Sequence, residues 1–254
     1  MNIKNKVFLG IIPARYASSR LPGKPLAKIG SQTMIERVYK RCSPHFEHLY
    51  VATDDSRIFH EVQKFKGNVV MTSPEHESGT DRCLEAYNII SSQLNTSFDI
   101  VINIQGDEPF IEGESLQLLK ELFLKKNCEM GTLAYRITNK EKLKNGGNVY
   151  VTKSTGGKAL YFSRSLIPNV RDEIQADLSK TAIFKHIGIY GYTYDALNRF
   201  SQMKPSPLEL AEKLEQNRFL ENDGEIYVAV TPHEAVAVDT SEDLTKARQK
   251  IQEP

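Results

Sequence analysis

Short, almost unbroken apolar runs predict buried strands at Val7 to Ile12, His48 to Thr53, Val69 to Thr72 and Asp99 to Gln105. Between them apolar residues recur at helical spacing. Thr33-Met34-Ile35-Glu36 is a capping box that starts a helix carrying Ile35 and Val38 inward and ending before Pro44. Asp55 can cap a helix in which Ile58, Val62 and Phe65 repeat until Gly67 stops it. A polar loop from Pro74 to Thr80 leads into a helix from about Asp81, and Ser115 to Lys125 predicts another. Strands alternating with helices in this way mark parallel strands joined by crossovers, which excludes most all-β and all-α folds.

Past Lys125 the rhythm changes. Gly131 to Ile137, Val149 to Lys153 and Lys158 to Ser163 read as extended, with a turn at Gly156-Gly157, so this middle region is more antiparallel. Ile183 to Tyr192 predicts a further strand, and Pro207 to Glu221 one helix ended by Gly224. Glu225 to Val230 and Ala235 to Val238 predict short strands, and Thr240 or Ser241 caps a last helix through Lys250. No repeat, low-complexity tract or proline-rich linker divides the chain, so the expectation is one α/β domain over 1–254 with an inserted subregion at about 149–200.

Composition narrows the chemistry. Lys+Arg 33 against Asp+Glu 32 gives a net charge of +1, which argues against nucleic acid and anionic membrane as partners, so any anion must be held locally. Cys42, Cys83 and Cys128 lie far apart without a C-x-x-C pair; a zinc ribbon is excluded and a reducing compartment expected. The polar start, Met1 to Lys6, runs into an apolar stretch ending at Pro13 that is too short to span a membrane and lacks a cleavage site, so the expected location is cytoplasmic.

The segment Pro13 to Pro25 follows a strand and carries Arg15, Arg20 and Lys24 among small residues and prolines. It cannot be core. At the carboxyl end of a parallel strand such a loop suits a polyphosphate, although the same composition also describes a solvated basic turn. Lys24 precedes Pro25 rather than Ser or Thr, and no G-x-G-x-x-G follows the strand, so P-loop hydrolysis and dinucleotide oxidoreduction lose ground.

The run Ile12-Pro13-Ala14-Arg15-Tyr16-Ala17-Ser18-Ser19-Arg20-Leu21-Pro22-Gly23-Lys24-Pro25-Leu26 closely resembles the opening signature of the 3-deoxy-manno-octulosonate cytidylyltransferase family. Later blocks of that family are matched in order by Val51 to Asp55, His76 to Arg82, Asn103 to Pro109, Ala159 to Arg164 and His186 to Tyr192. Ser206 to Glu209, Leu214 to Gln216 and Val238 to Thr240 complete the set. One departure is Gly146-Gly147-Asn148-Val149-Tyr150-Val151, where the family usually has Asn and then Val-Lys-Val; the lysine's role in relatives has no assigned residue here.

The resemblance implies a Rossmann-like nucleotide-diphospho-sugar transferase fold: a mostly parallel central sheet with helices on both faces and a smaller, partly antiparallel dimerisation subdomain. It also implies transfer of CMP from CTP to the anomeric hydroxyl of an acidic 3-deoxy sugar, a magnesium cofactor and a homodimer, for which the antiparallel middle region, Val149 to Tyr192, is the expected interface. On this reading Arg15 and Lys24 hold the triphosphate, and Arg20 either helps or fixes the loop by an ion pair. Asp107 and Asp239, each at the end of an apolar run, hold magnesium; as bare sequence each reads more readily as a cap or turn aspartate. Ala14, Ser78 and Gly79 are candidates to read cytosine, while Thr80 is the candidate cap of the following helix. Gln105 reaches ribose or sugar. Arg164, His186, Tyr190, Glu209 and Gln216 suit an acceptor with a carboxylate and many hydroxyls, and His186 also fits a structural histidine. The rivals are a cytidylyltransferase for 8-amino-Kdo or a sialic acid, a non-catalytic nucleotide-binding regulator, and a glycosyltransferase, which would need a D-x-D motif that the strands lack.

Overall fold

The computed structural model describes residues 6–17, 20–76, 78–139, 143, 147–170, 178 and 182–252. Met1 to Asn5, Ser18, Ser19, Glu77 and Gly146, which enter the sequence motifs, lie outside the described residues.

In chain order come β1 (Phe8–Ala14), the short pair β2 (Lys28–Ile29) and β3 (Gln32–Thr33), α1 (Met34–Cys42), β4 (His48–Thr53), α2 (Ser56–Lys64) and β5 (Val69–Met71). Then follow α3 (Gly79–Leu94), β6 (Ile100–Asn103), α4 (Gly113–Lys125), β7 (Met130–Arg136), β8 (Tyr150–Lys153), β9 (Ala159–Ser163) and β10 (Phe184–Thr193). The last elements are α5 (Tyr194–Gln202), α6 (Pro207–Glu212), α7 (Gln216–Glu221), β11 (Ile226–Thr231) and α8 (Ser241–Gln252).

These elements gather into two compact units, one through Gln117 and again from Ala235, the other Leu118–Glu234. In the first, β4 pairs in parallel with both β1 and β5, and β1 pairs in parallel with β6. Leu9, Ile11, Ile12, Val51, Ala52 and all of β6 are buried, which is why these strands read as unbroken apolar runs rather than alternating ones. The chain returns to this unit at its end: Val238, Leu244 and Ala247 pack with Ile29 and Met34, seating α8 on the β2–β3 pair. In the second unit β7 pairs in parallel with β11 and antiparallel with β10, and β8 pairs antiparallel with β10 and β9. This is the α/β, Rossmann-like architecture with a smaller antiparallel component that the sequence implies.

Four local readings are corrected. The cap of α3 is Ser78, whose hydroxyl accepts from the Asp81 amide, and not Thr80, which is buried inside the helix. Pro207 to Glu221 is two helices, broken where Lys213 adopts a left-handed conformation. Ala235 to Val238 is not a strand; Val238 alone reaches a neighbouring backbone, donating its N–H to the Asp107 carbonyl at 2.9 Å. At the end of α2 the left-handed residue is Lys66, with Gly67 following it.

Candidate active site

Three separate segments of the first unit meet at the carboxyl ends of its strands. β1 delivers Ala14 and Arg15, the turn after β6 delivers Gln105 and Asp107, and the segment leading into α8 delivers Asp239. The last two are brought together by the Val238–Asp107 backbone bond. Thr240 caps α8, accepting from the Asp243 amide at 3.2 Å, while Asp243 accepts in return from the Thr240 amide at 2.9 Å. Asp239 is therefore released from capping, and its carboxylate faces the cavity.

The cavity holds about 330 Å³, near the lower end of small-molecule sites. Arg15, Arg20 and Lys24 line it together with Asp107, Asp239 and Gln105. Ala14, Ser78 and Gly79 form another part of its wall. All nine first-unit candidates thus share one space.

Lys24 is its electrostatic centre, donating to Asp107 Oδ2 at 2.5 Å and to Asp239 Oδ1 at 3.0 Å. Burial alone would lower the Lys24 pKa, but the charge and hydrogen bond of Asp107, and those of Asp239, outweigh it and hold the ammonium above its ordinary value. Arg20 reaches the same Asp239 oxygen at 3.1 Å, the ion-pair alternative left open by the sequence. Ser78 spends its hydroxyl on α3, accepting from the Asp81 amide and donating to the Asp81 carboxylate, so what Ser78 and Gly79 offer the cavity is backbone.

Two ionisable lining residues were not singled out from sequence, His76 and Arg82. His76 Nε2 lies 2.5 Å from Glu85 Oε2, and Glu85 also accepts from the Ser73 amide. Arg82, almost fully buried, binds Asp54 Oδ2 at 2.8 Å and Thr72 Oγ1 at 2.6 Å. The signal was available, since both lie in the matched block His76 to Arg82.

The remaining candidates lie in the second unit. His186 is buried with its ring 5.0 Å from that of Phe162 and 5.4 Å from that of Tyr190. Burial pushes its pKa down to about 3, so it is neutral. Thr132 Oγ1 is 2.8 Å from the Ile189 carbonyl and uses its one proton there, so it accepts from His186 Nε2–H, which leaves Nδ1 as the acceptor. Burial, and then the nearby Glu215 charge, raise the Tyr190 phenol well above its usual range. Gln216 is buried at the start of α7. Both oxygens of Glu209 bind Arg218 at 2.6 Å, and one also accepts from the Ser206 amide, so Glu209 braces α6 against α7. Arg164 donates to the carbonyls of Glu212 and Lys213. Glu212, missed from sequence, accepts from Tyr161, Ser163 and the Arg164 amide and so organises this corner.

A cationic loop and a carboxylate pair lie at the carboxyl ends of parallel strands, the place where open α/β sheets take their ligands. A family model described as cytidylyltransferase matches residues 9–226. The chain is 48% identical over 246 residues to a 3-deoxy-manno-octulosonate cytidylyltransferase of Cytophaga hutchinsonii, covering 95% of this chain and 96% of that one. It is 47% identical over 248 residues to the protein of that name from Fusobacterium nucleatum, covering 97% of each. A solved CMP:2-keto-3-deoxy-manno-octonic acid synthetase complexed with CTP superposes with a TM-score of 0.86 at 37% identity, covering 97% of this chain and 99% of that one. The chain belongs to the 3-deoxy-manno-octulosonate cytidylyltransferase family.

Proposed function

We infer that this protein transfers CMP from CTP to the anomeric hydroxyl of 3-deoxy-D-manno-octulosonate, releasing pyrophosphate and supplying an activated sugar for lipopolysaccharide synthesis in the cytoplasm. The observation that carries the reading is one cavity in which Arg15, Arg20 and Lys24 confront Asp107 and Asp239, within a chain of this family. Transfer to phosphorus needs in-line placement and neutralisation of the triphosphate more than it needs a covalent step by the protein. Arg15 and Lys24 supply the neutralisation. When a phosphate oxygen takes over the Lys24 ammonium, Asp107 and Asp239 lose their shared partner and can take up another cation. Backbone groups of Ala14, Ser78 and Gly79 offer fixed donors and acceptors to the base, and Gln105 reaches ribose or acceptor. Neutral His186, protonated Tyr190 and Gln216 suit sugar hydroxyls, and Arg164 a carboxylate.

Among the described residues no group of three or more His, Cys, Asp or Glu can hold a metal ion. Two carboxylates near enough to share one cation nonetheless fit magnesium, which keeps waters and takes its remaining ligands from phosphate. Held by Asp107 and Asp239, magnesium would neutralise phosphate charge and lower the pKa of the attacking hydroxyl. We also propose a homodimer, supported by the exposed Leu160, Leu166 and Leu210 of the second unit; light scattering giving one 28.8 kDa chain would refute it. The function itself is tested by pyrophosphate release from CTP with Kdo, 8-amino-Kdo and a sialic acid, with and without EDTA. Fastest turnover is expected with Kdo and none in EDTA; faster turnover with another sugar, or binding of CTP without turnover, overturns the assignment.

A further inference from the structure

The loop that carries Arg15 and Arg20 leaves β1 at Ala14 and returns at Lys24, and Lys24 is fixed by two carboxylates. Its outgoing limb is fixed by Tyr16. Arg15 and Ala17, on either side of Tyr16, line the cavity, whereas Tyr16 does not. The Tyr16 carbonyl accepts from the Gly23 amide at 3.1 Å, closing the loop upon itself. The ring lies against Gly23, where a Cβ would come within 3.1 Å of Cζ and Oη, and Gly23 has a φ of +68°. Glycine meets both demands without strain.

Over the same ring the Arg57 guanidinium sits 3.3 Å from the centroid. Arg57 cannot swing freely, because Asp55 holds it by two bonds, Nε at 3.0 Å and a terminal amine at 2.7 Å. Asp55 is in turn fixed as the cap of α2, accepting from the Arg57 amide at 2.9 Å. A continuous set of planar contacts thus runs from the start of α2 through Asp55, Arg57 and the Tyr16 ring to Gly23. None of these three side chains lines the cavity.

We propose that Tyr16, clamped by the Asp55–Arg57 pair, is a positioning residue that sets the direction of Arg15 and Arg20 toward the triphosphate. The proposal rests on the reading of this cavity as the CTP site. Without the clamp both arginines remain in the sequence but must be ordered by the ligand, so CTP binding weakens while the acceptor's does not.

The test measures CTP binding by calorimetry without sugar, then steady-state kinetics for both substrates, in Tyr16→Ala, Tyr16→Phe, Arg57→Ala and the Tyr16→Ala/Arg57→Ala pair. Tyr16→Ala is expected to weaken CTP binding and kcat/KM for CTP about 10-fold or more, with the KM for sugar unchanged and Tm little altered. Tyr16→Phe, which keeps the ring, should restore most of the loss. The double variant should be little worse than Tyr16→Ala, because the two residues act as one unit. Wild-type CTP binding in Tyr16→Ala overturns the proposal, as does equal loss for both substrates or failure of Tyr16→Phe to rescue. If the wild type itself binds no CTP, the reading of the cavity falls and the proposal falls with it.

Discussion

At the scale of single residues, the cavity charges are the most legible feature and the second-unit candidates the least. Asp107 and Asp239 sit at ends of apolar runs, where a charge is costly unless partnered, and Lys24 proves to be the partner of both. Replacing Asp107 or Asp239 by Asn should each cut kcat by about 10²- to 10³-fold, the range seen when a preorganised transition-state contact is removed, with the circular dichroism spectrum unchanged. Near-normal turnover in either variant would remove that residue from the catalytic site. His186 could not be settled from sequence, because a lone histidine followed by Ile187 and Ile189 also fits a structural role. Its pKa is lowered by burial from 6.5 to about 3, so the unfolded chain takes up a proton that the native one refuses. Stability from this site is therefore present above pH 6.5 and is lost as pH falls below it, by about 2 kcal/mol at pH 5. Urea unfolding between pH 7.5 and pH 5 should show this loss in the wild type and a shallower slope in His186→Gln; parallel slopes would contradict it.

At the scale of elements, apolar periodicity announces which segments form helices, but not how they end. Glycine was read as the stop of the second helix and of the last part of Pro207 to Glu221. In both places it is the residue before, Lys66 at φ 60° and Asp223 at φ 58°, that turns left-handed. The following glycine donates back into the helix, Gly67 to Val62 and Gly224 to Phe219, in the Schellman pattern. Glycine is needed at 67 for contact rather than for φ, since a Cβ there would approach Phe65 to 2.5 Å and Val62 to 2.8 Å. Two variants with opposite signs follow. Lys66→Gly relieves the left-handed penalty against a smaller loss of backbone entropy and should stabilise by about 0.5 to 1 kcal/mol. Gly67→Ala should destabilise by about 1 to 3 kcal/mol through overpacking. Urea midpoints of the two variants check both, and a gain from Gly67→Ala would refute the contact argument. The break at Lys213 had no such signal, because Leu210 and Leu214 keep helical spacing although Leu210 is exposed and Leu214 buried. Ala235 to Val238 misled in the other direction: it is an apolar run without strand pairing, and its one backbone bond serves to carry Asp239 to Asp107.

At the scale of the whole molecule, a net charge of +1 gives no sign that Arg15, Arg20 and Lys24 gather with Asp107 and Asp239 in one cavity, so composition pointed to a local anion site without placing it. The order of residues placed it, because all nine candidates that converge belong to one unit that the chain enters first and rejoins last. That organisation makes a ligand at the cavity a stabiliser of the first unit in particular. The three cysteines report on it: Cys42 and Cys83 are buried in the first unit and Cys128 in the second. Burial, then the Glu108 charge, push the Cys42 thiol up to about 12, so it labels only when its surroundings open. Native protein should therefore show no rapidly reacting thiol toward a disulfide reagent, and all three should react in urea. CTP at about 100 times its Kd stabilises whatever contains its site by about 2.7 kcal/mol, equal to about 100-fold slower labelling when opening limits the reaction. Mass spectrometry of the labelled peptides should find that slowing at Cys42 and Cys83 and a smaller one at Cys128. Equal slowing at all three would show that the units open as a single cooperative body, and slowing at Cys128 alone would place CTP away from the cavity of Lys24, Asp107 and Asp239.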